Sequence, residues 1–207
     1  MKSRADVVIV GGGVSGCGLA YNLAKRDMDV VVFERDYLTS GATGACGAGI
    51  RQQWSTRDNT LLAIDSVKIF DKLSKELGED IDLRHGGYLI AIHDDKEMHQ
   101  AEKNVKMQKS LGLKVDILNP REINDVVSIL DVKGMNAISA TFCPTDGHAN
   151  PFKTTFTYAN AAKRYGATIY THTEVVGVKT QKKQIAVYKT QIAVYKTLSR
   201  HLWWVQS

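Results

Sequence analysis

The sequence predicts an α/β protein: a parallel, doubly wound sheet interrupted by part of a second, mixed-sheet lobe. Two observations carry most of this. Val7–Val10 and "DVVVFE" (Asp29–Glu34) are continuous apolar runs, as in strands buried on both faces. Between them, glycines lead into a stretch from Val14 to Arg26 in which Leu19, Leu23 and Ala20, Ala24 recur at helical spacing. The first 34 residues therefore read as β-turn-α-β, the unit of a parallel sheet.

The later elements follow in order. Residues 36–58 are rich in Gly, Ser and Thr with little periodicity, and a loop of that length inside a compact domain is usually functional. From Asn59 a helix is expected, with Ala63, Val67, Phe70, Leu73 and Leu77 on one face and Gly78 as its stop. "GGYLIAI" is a strand. Asp94 with Glu97 resembles a capping box for a helix ending near Gly112. "KVDIL" is a strand, and Asn119-Pro120 starts a short helix with an Asn cap and proline in the first turn. "AISATF" is a further strand. Asn150-Pro151 repeats the capping device for a helix that runs to about Tyr165 and stops at Gly166. "ATIYTH" and "EVVGV" close the pattern as strands. The expected organisation is a discontinuous first domain, 1–84 and 144–183, with 85–143 as part of the second and 184–207 as an aberrant tail.

Composition narrows the function classes. The 207 residues are 43% hydrophobic and 24% charged, ordinary for a soluble protein. The net charge of +5 is spread along the chain and accompanies no nucleic-acid motif. The three cysteines, Cys17, Cys46 and Cys143, form no C-x-x-C pair or zinc spacing, so reduced thiols and a cytoplasmic location are expected. "VVIVGGGVSGCGLA" follows a basic start, but its glycines are poor in a signal helix, and Asn22, Lys25 and Arg26 cut it short of a membrane span.

Gly11, Gly13 and Gly16 satisfy G-x-G-x-x-G. Here the pattern leaves a buried strand, opens a helix and is followed about 20 residues later by an acid, Glu34, at a strand end. Gly11 permits the tight turn, Gly13 a close approach to a pyrophosphate, and Gly16 close packing of helix on strand. The helix start offers free N–H groups and a positive dipole end to phosphates. Glu34 can accept both ribose hydroxyls of an adenosine, and its charge disfavours a 2′-phosphate. This is a Rossmann-like dinucleotide site, and these residues do not separate FAD from NAD. The next stretch, "ERDYLTSGATGACGAGIRQQW", adds a second loop of small residues. Such a loop lets a planar cofactor lie against the backbone; a mobile surface loop is the other reading of its composition.

"VVIVGGGVSGCGLAYNLAKRDMDVVVFER" followed by "SGATGACGAGIRQQW" resembles the FAD-dependent amine oxidoreductases of the D-amino-acid oxidase (DAO) family. "RHGGYLIAIHDDKE", "LGLKVDILNPREI" and "CPTDGHANPFKTTFTYANAAKRYGATIYTHTEVVGV" continue the likeness in order, from Asp6 to about Lys179. "TDGHANPFKTT" leans toward the sarcosine oxidase and proline dehydrogenase β branch. The resemblance implies an FAD-binding domain interrupted by a substrate domain, with FAD as cofactor. It implies hydride transfer to flavin from the C–N carbon of a secondary amine or amino acid of the sarcosine, glycine or proline class. It also implies partner subunits of a hetero-oligomeric dehydrogenase. Gly11, Gly13, Val14, Ser15 and Gly16 would hold the pyrophosphate; Glu34 would bind the ribose and Arg35 would lie beside the adenine. Ala42 and Thr43 would meet the phosphates, Ala48, Gly49 and Ile50 would line the flavin, and Val175 would contact adenine through its backbone.

Catalytic residues stay open. Arg51 is a candidate for electrostatic work near the flavin, with a salt-bridged or solvated arginine as the alternative. His148 reads as a capping or packing group, Cys46 as a small residue in a tight loop, and Tyr88 and Tyr158 as core or interface aromatics. No acid or base is named, since hydride transfer from an amine need not require one. A nicotinamide-dependent dehydrogenase is the remaining alternative, disfavoured by the second glycine-rich loop.

Gln184–Thr190 ("QIAVYKT") recurs unchanged as Gln191–Thr197, and "LSRHLWWVQS" follows. Each copy alternates like a strand. The offset of seven places the second alternation on the other face, so the copies cannot continue one strand, and no Gly-containing turn joins them as a hairpin. The family likeness is expected to stop near Lys179, which reads as C-terminal truncation with a local duplication. A non-catalytic remnant with weak or no FAD binding is therefore the alternative function.

Overall fold

The computed structural model of the protein describes residues 4–181, 184–189, 194–197 and 202–204. The chain divides into two compact units: Met1–Gly47, Lys75–Asp82 and Asn150–Ser207 form the first, and Ala48–Ser74 with Leu83–Ala149 form the second. The expected lobe at 85–143 lies inside the second unit, which also takes in 48–74; the expected boundary at 84 assigned those residues to the first.

The first unit is built on a four-stranded sheet in the order Thr168–Tyr170, Val30–Phe33, Val7–Val10, Leu202–Trp204, with every pairing parallel. The two apolar runs are as buried as their composition predicts: Val8, Ile9, Val30, Val31 and Val32 are fully enclosed. The helix Val14–Ala24 follows the first of these strands. Its buried positions are Gly16, Cys17, Ala20, Tyr21 and Ala24, so small residues rather than Leu19 and Leu23 form its closest contact face. The helix Pro151–Arg164 packs beside it: Cys17, Leu38 and Ala159 share one apolar cluster, and Tyr21 meets Tyr158 and Tyr165 at ring separations of 5.8 and 5.9 Å. Asn150 caps that helix through the Lys153 amide, and Pro151 occupies its first turn, as the sequence predicts.

The duplicated segment also belongs to this unit. Val175–Gln181 pairs antiparallel with Gln184–Lys189, which pairs antiparallel with Val194–Thr197; that last strand runs parallel to Arg4–Ala5. The two copies thus do form a hairpin, Val187 opposite Tyr195. The residues joining the copies lie outside the described residues.

The second unit contains a three-stranded antiparallel sheet, Tyr88–Ile92, Ser139–Cys143 and Asp116–Leu118, with the Ser139–Cys143 strand central. The helix Asp95–Ser110 covers it, with Val105, Leu113, Val115 and Cys143 in one cluster. The expected capping box at Asp94 is realised in a shifted form: Asp94 accepts from the Glu97 amide, while Glu97 reaches back to the His93 amide. At Asn119 both halves of the box are present, and Pro120 begins the helix. The helix Arg57–Leu77 starts two residues before the expected Asn59 and ends before Gly78, which has φ +77°.

Candidate functional site

The glycine turn, the acid at the end of the second strand and the second small-residue loop converge on one cleft in the first unit. It is lined by Gly11, Gly13, Ser15, Glu34, Arg35, Ala42 and Thr43, with Gly12, Ser40 and Gly41 beside them. Seven sequence-predicted residues are therefore brought together. Gly11 has φ +109°, a left-handed conformation that admits glycine. A Cβ on Gly16 would stand 2.1 Å from the Gly11 carbonyl oxygen, so Gly16 permits the helix to press against the turn.

Glu34 is buried and organises the turn. Its Oε2 accepts from the Gly12 amide at 2.6 Å; its Oε1 accepts from the Asp36 amide at 2.9 Å and the Ser40 hydroxyl at 3.3 Å. The carboxylate thereby ties the first glycine turn to the start of the second loop and faces the cleft. Thr43 makes the second tie, its hydroxyl accepting from the Val14 amide at 3.1 Å. Gly44 and Thr39 lock the loop from behind, with the Gly44 amide donating to the Thr39 carbonyl at 3.0 Å. Within the loop, Ala42–Ala45 forms a single helical turn that composition alone did not indicate. The Gly13 N-cap supplies no side-chain cap, and with the Val14 N–H held by Thr43 it is the Ser15 and Gly16 N–H groups of the first turn that are left for an anionic ligand at the cleft.

A dinucleotide pyrophosphate fits this arrangement. The walls next to the helix start are glycine, alanine and threonine, and a Cβ on Gly13 would stand 2.8 Å from the Thr43 hydroxyl, so the approach depends on the missing side chain. Arg35 is exposed at the rim, paired with Asp36 at 3.3 Å. Val175 does not line the cleft; it packs against the cluster of Ala5, Val8, Val31 and Phe33.

Ala48, Gly49, Ile50 and Arg51 belong to the second unit. Gly49–Ile50 is a short strand paired antiparallel with Gly147–His148, which also pairs with Arg84–His85. His148 is thus an exposed strand residue beside Gly49. The Arg51 guanidinium lies 4.3 Å from the centre of the Trp54 ring, and the Trp54 indole N–H donates to the Arg51 carbonyl at 3.1 Å. Tyr88 approaches Gly49, where an added Cβ would meet its ring at 3.0 Å.

One organising residue escaped sequence reasoning. Asp146, fully buried, accepts from the Gln52 amide at 2.8 Å, from Gln52 Nε2 at 2.9 Å and from Gln53 Nε2 at 3.2 Å. It fixes the two glutamines that follow Arg51. Its only signal was an acid inside "TDGH", bounded by a turn and a strand.

Comparison with known proteins gives a consistent picture. The family described as FAD dependent oxidoreductase (DAO) matches residues 6–198, so the likeness extends through both copies of the repeat rather than stopping near Lys179. Dimethylglycine dehydrogenase of Mus musculus is 30% identical over 181 residues, covering 86% of this chain and 20% of that protein. Glycine oxidase of Geobacillus kaustophilus is 29% identical over 187 residues, covering 87% of this chain and 49% of that protein. Among solved structures, L-proline dehydrogenase from P. horikoshii superposes with a TM-score of 0.87 at 34% identity over 95% of this chain and 52% of its own. Glycine oxidase from Geobacillus kaustophilus gives 0.85 at 25% identity, over 97% of this chain and 55% of its own. The chain thus spans about a fifth of the dimethylglycine dehydrogenases and about half of the solved relatives.

Proposed function

The chain belongs to the DAO family of FAD-dependent oxidoreductases, and from that premise we propose that it binds FAD in the glycine-walled cleft and serves the oxidation of a secondary amine or amino acid. The substrate class is that of sarcosine, glycine or proline. The observation that carries the reading is the convergence of Gly11, Gly13, Ser15, Glu34, Ala42 and Thr43 on one cleft beside a helix start whose N-cap is glycine.

When bound, FAD supplies the hydride acceptor for oxidation at a carbon bearing an amine. The chain's own residues bind and orient. Within the Gly11–Gly16 turn the Gly11, Gly12 and Val14 amides donate to protein acceptors, so the Gly13, Ser15 and Gly16 amides hold the pyrophosphate, with the helix dipole favouring its charge. Glu34 accepts ribose hydroxyls with the lone pairs its protein partners leave free. Ala48 and Gly49 present small surfaces, and Ile50 an apolar one, suited to a flat ring. Arg51, held against Trp54, is a cation suited to a substrate carboxylate or to negative charge on the flavin. Reduced cysteines and a cytoplasmic location accompany this reading, as does assembly with partner subunits.

The visible spectrum tests it. A yellow protein whose flavin bands bleach with proline or sarcosine supports the proposal in full. Flavin bands that no amine bleaches leave the binding half alone. A preparation that stays colourless with added FAD sinks both.

A further inference from the structure

The second unit carries an open groove of about 860 Å³ between the helix Pro120–Val126 and the segment that leads from Leu130 to Ile138. Its apolar wall is Pro120, Leu130, Val132, Ala137 and Ile138. Val132 is buried, while Ile138 is 43% exposed. The rim is held by its own hydrogen bonds. The Gly134 amide donates to Asp131 Oδ1 at 2.9 Å, and the Met135 amide donates to the Asp131 carbonyl at 2.9 Å.

Beside the groove stands a knob. Ile129 is 91% exposed, the most exposed large hydrophobic side chain among the described residues. It sits on a fixed turn: the Leu130 amide donates to the Val127 carbonyl at 3.1 Å, and the Leu130 carbonyl accepts from Asn124 Nδ2 at 2.9 Å. Val126 and Met135 are exposed in the same stretch. A single exposed isoleucine is ordinary, but one held rigidly next to an apolar groove is a contact prepared in advance.

The charges here have both signs. Arg121 and Lys133 line the groove, and Asp125 follows Arg121 on the same short helix. Among the described residues none of these three side chains makes a hydrogen bond or ion pair. The other two charged or titratable groups of the groove are engaged, His93 with Glu97 at 3.4 Å and Asp131 with its own loop.

We propose that this face is the contact between two copies of the chain related by a two-fold axis, with Ile129 of each copy seated in the groove of the other. Such a contact uses one patch on both sides, so the patch must complement itself. This one does so in shape, with a knob and a groove side by side, and in charge, with Arg121 and Lys133 available to the other copy's Asp125. A partner of one charge sign would leave one of these sets facing its like. An aliphatic anchor inside a charged rim also matches the anatomy of specific protein contacts. The face uses none of the residues assigned to FAD, and the proposal holds whether or not the chain binds flavin.

Sedimentation of the whole chain over a dilution series tests it. The expected result is a reversible equilibrium between monomer and dimer. Ile129→Ala raises the dissociation constant about a hundredfold, because the contact is lost twice in each dimer. Ile129→Asp leaves a monomer. Asp125→Arg and the double variant Arg121→Glu/Lys133→Glu each self-associate more weakly than the unsubstituted chain, and a mixture of the two associates more tightly than either alone. A chain that stays monomeric throughout leaves the face to a different protein and overturns the proposal. A dimer that Ile129→Asp leaves intact lies on another face and overturns it too, as does a charge-reversed pair that gains nothing on mixing. Circular dichroism checks the fold of each variant; if Ile129→Asp does not fold, the mixing experiment decides by the same criterion.

Discussion

The Gly12 amide donates to the Glu34 carboxylate at 2.6 Å across 22 residues of sequence. The acid that a dinucleotide-binding turn uses for ribose also holds that turn in shape here, together with the Asp36 amide at 2.9 Å. Glu34→Gln keeps one acceptor oxygen and sets an NH2 group against one of these N–H donors. Urea unfolding is expected to show a loss of about 1.5–3 kcal/mol, the range for hydrogen bonds to a charged group. FAD affinity is expected to fall with it. An unchanged midpoint would show that the carboxylate has no structural share.

Gly16→Ala tests the contact between turn and helix. The added Cβ would stand 2.1 Å from a backbone oxygen of Gly11, which cannot rotate away as a side chain would. Stability is expected to drop by about 3 kcal/mol, at the upper end for overpacking. Gly47→Ala is the matched control: a Cβ there meets nothing within 4 Å, and the midpoint is expected to stay within about 0.5 kcal/mol.

What the sequence made legible has a physical pattern. The strands Val7–Val10 and Val30–Phe33 show as unbroken apolar runs because both faces are covered. The caps at Asn119 and Asn150 show because a helix start needs a local acceptor within three residues. Glu34, Gly11 and Gly16 were readable because their tasks recur at fixed spacing. Asp146 was not, since its bond to Gln52 spans 94 positions and a single acid carries no periodic signal. The repeat was misjudged for a related reason: hairpin expectation leaned on turn residues, whereas pairing with Val175–Gln181 and Arg4–Ala5 supplies the partners.

Asp146→Asn tests the hub behind Arg51. Two donors from Gln52 converge on Oδ1 and one from Gln53 reaches Oδ2, so an amide must turn its NH2 toward one of these donors. A loss of about 1.5–3 kcal/mol is expected in chemical unfolding, the range for hydrogen bonds to a charged group. If flavin is bound, its spectrum should also shift, because the segment that carries Arg51 is released. A variant as stable as the unsubstituted chain would remove Asp146 from this role.

Thiol chemistry gives the last prediction. Cys46 is exposed while Cys17 and Cys143 are buried. Burial, reinforced by the charge of Glu34, pushes the Cys17 thiol up to about 12, and burial raises Cys143 as well. At pH 8 a thiol reagent should therefore titrate one group in the folded protein and three after denaturation. The same shift sets a pH dependence. Above the ordinary thiol value of 9.0 the unfolded chain loses the Cys17 proton while the native state keeps it, up to about 12. The native state then binds more protons than the unfolded one, so stability falls as pH rises across this window, by about 1.4 kcal/mol per pH unit from this group. Below pH 9 the contribution is fully present. Cys143, also raised, keeps part of the slope; Cys17→Ala should reduce it by up to about 1.4 kcal/mol per pH unit, and a slope left unchanged by the substitution would assign it to other groups.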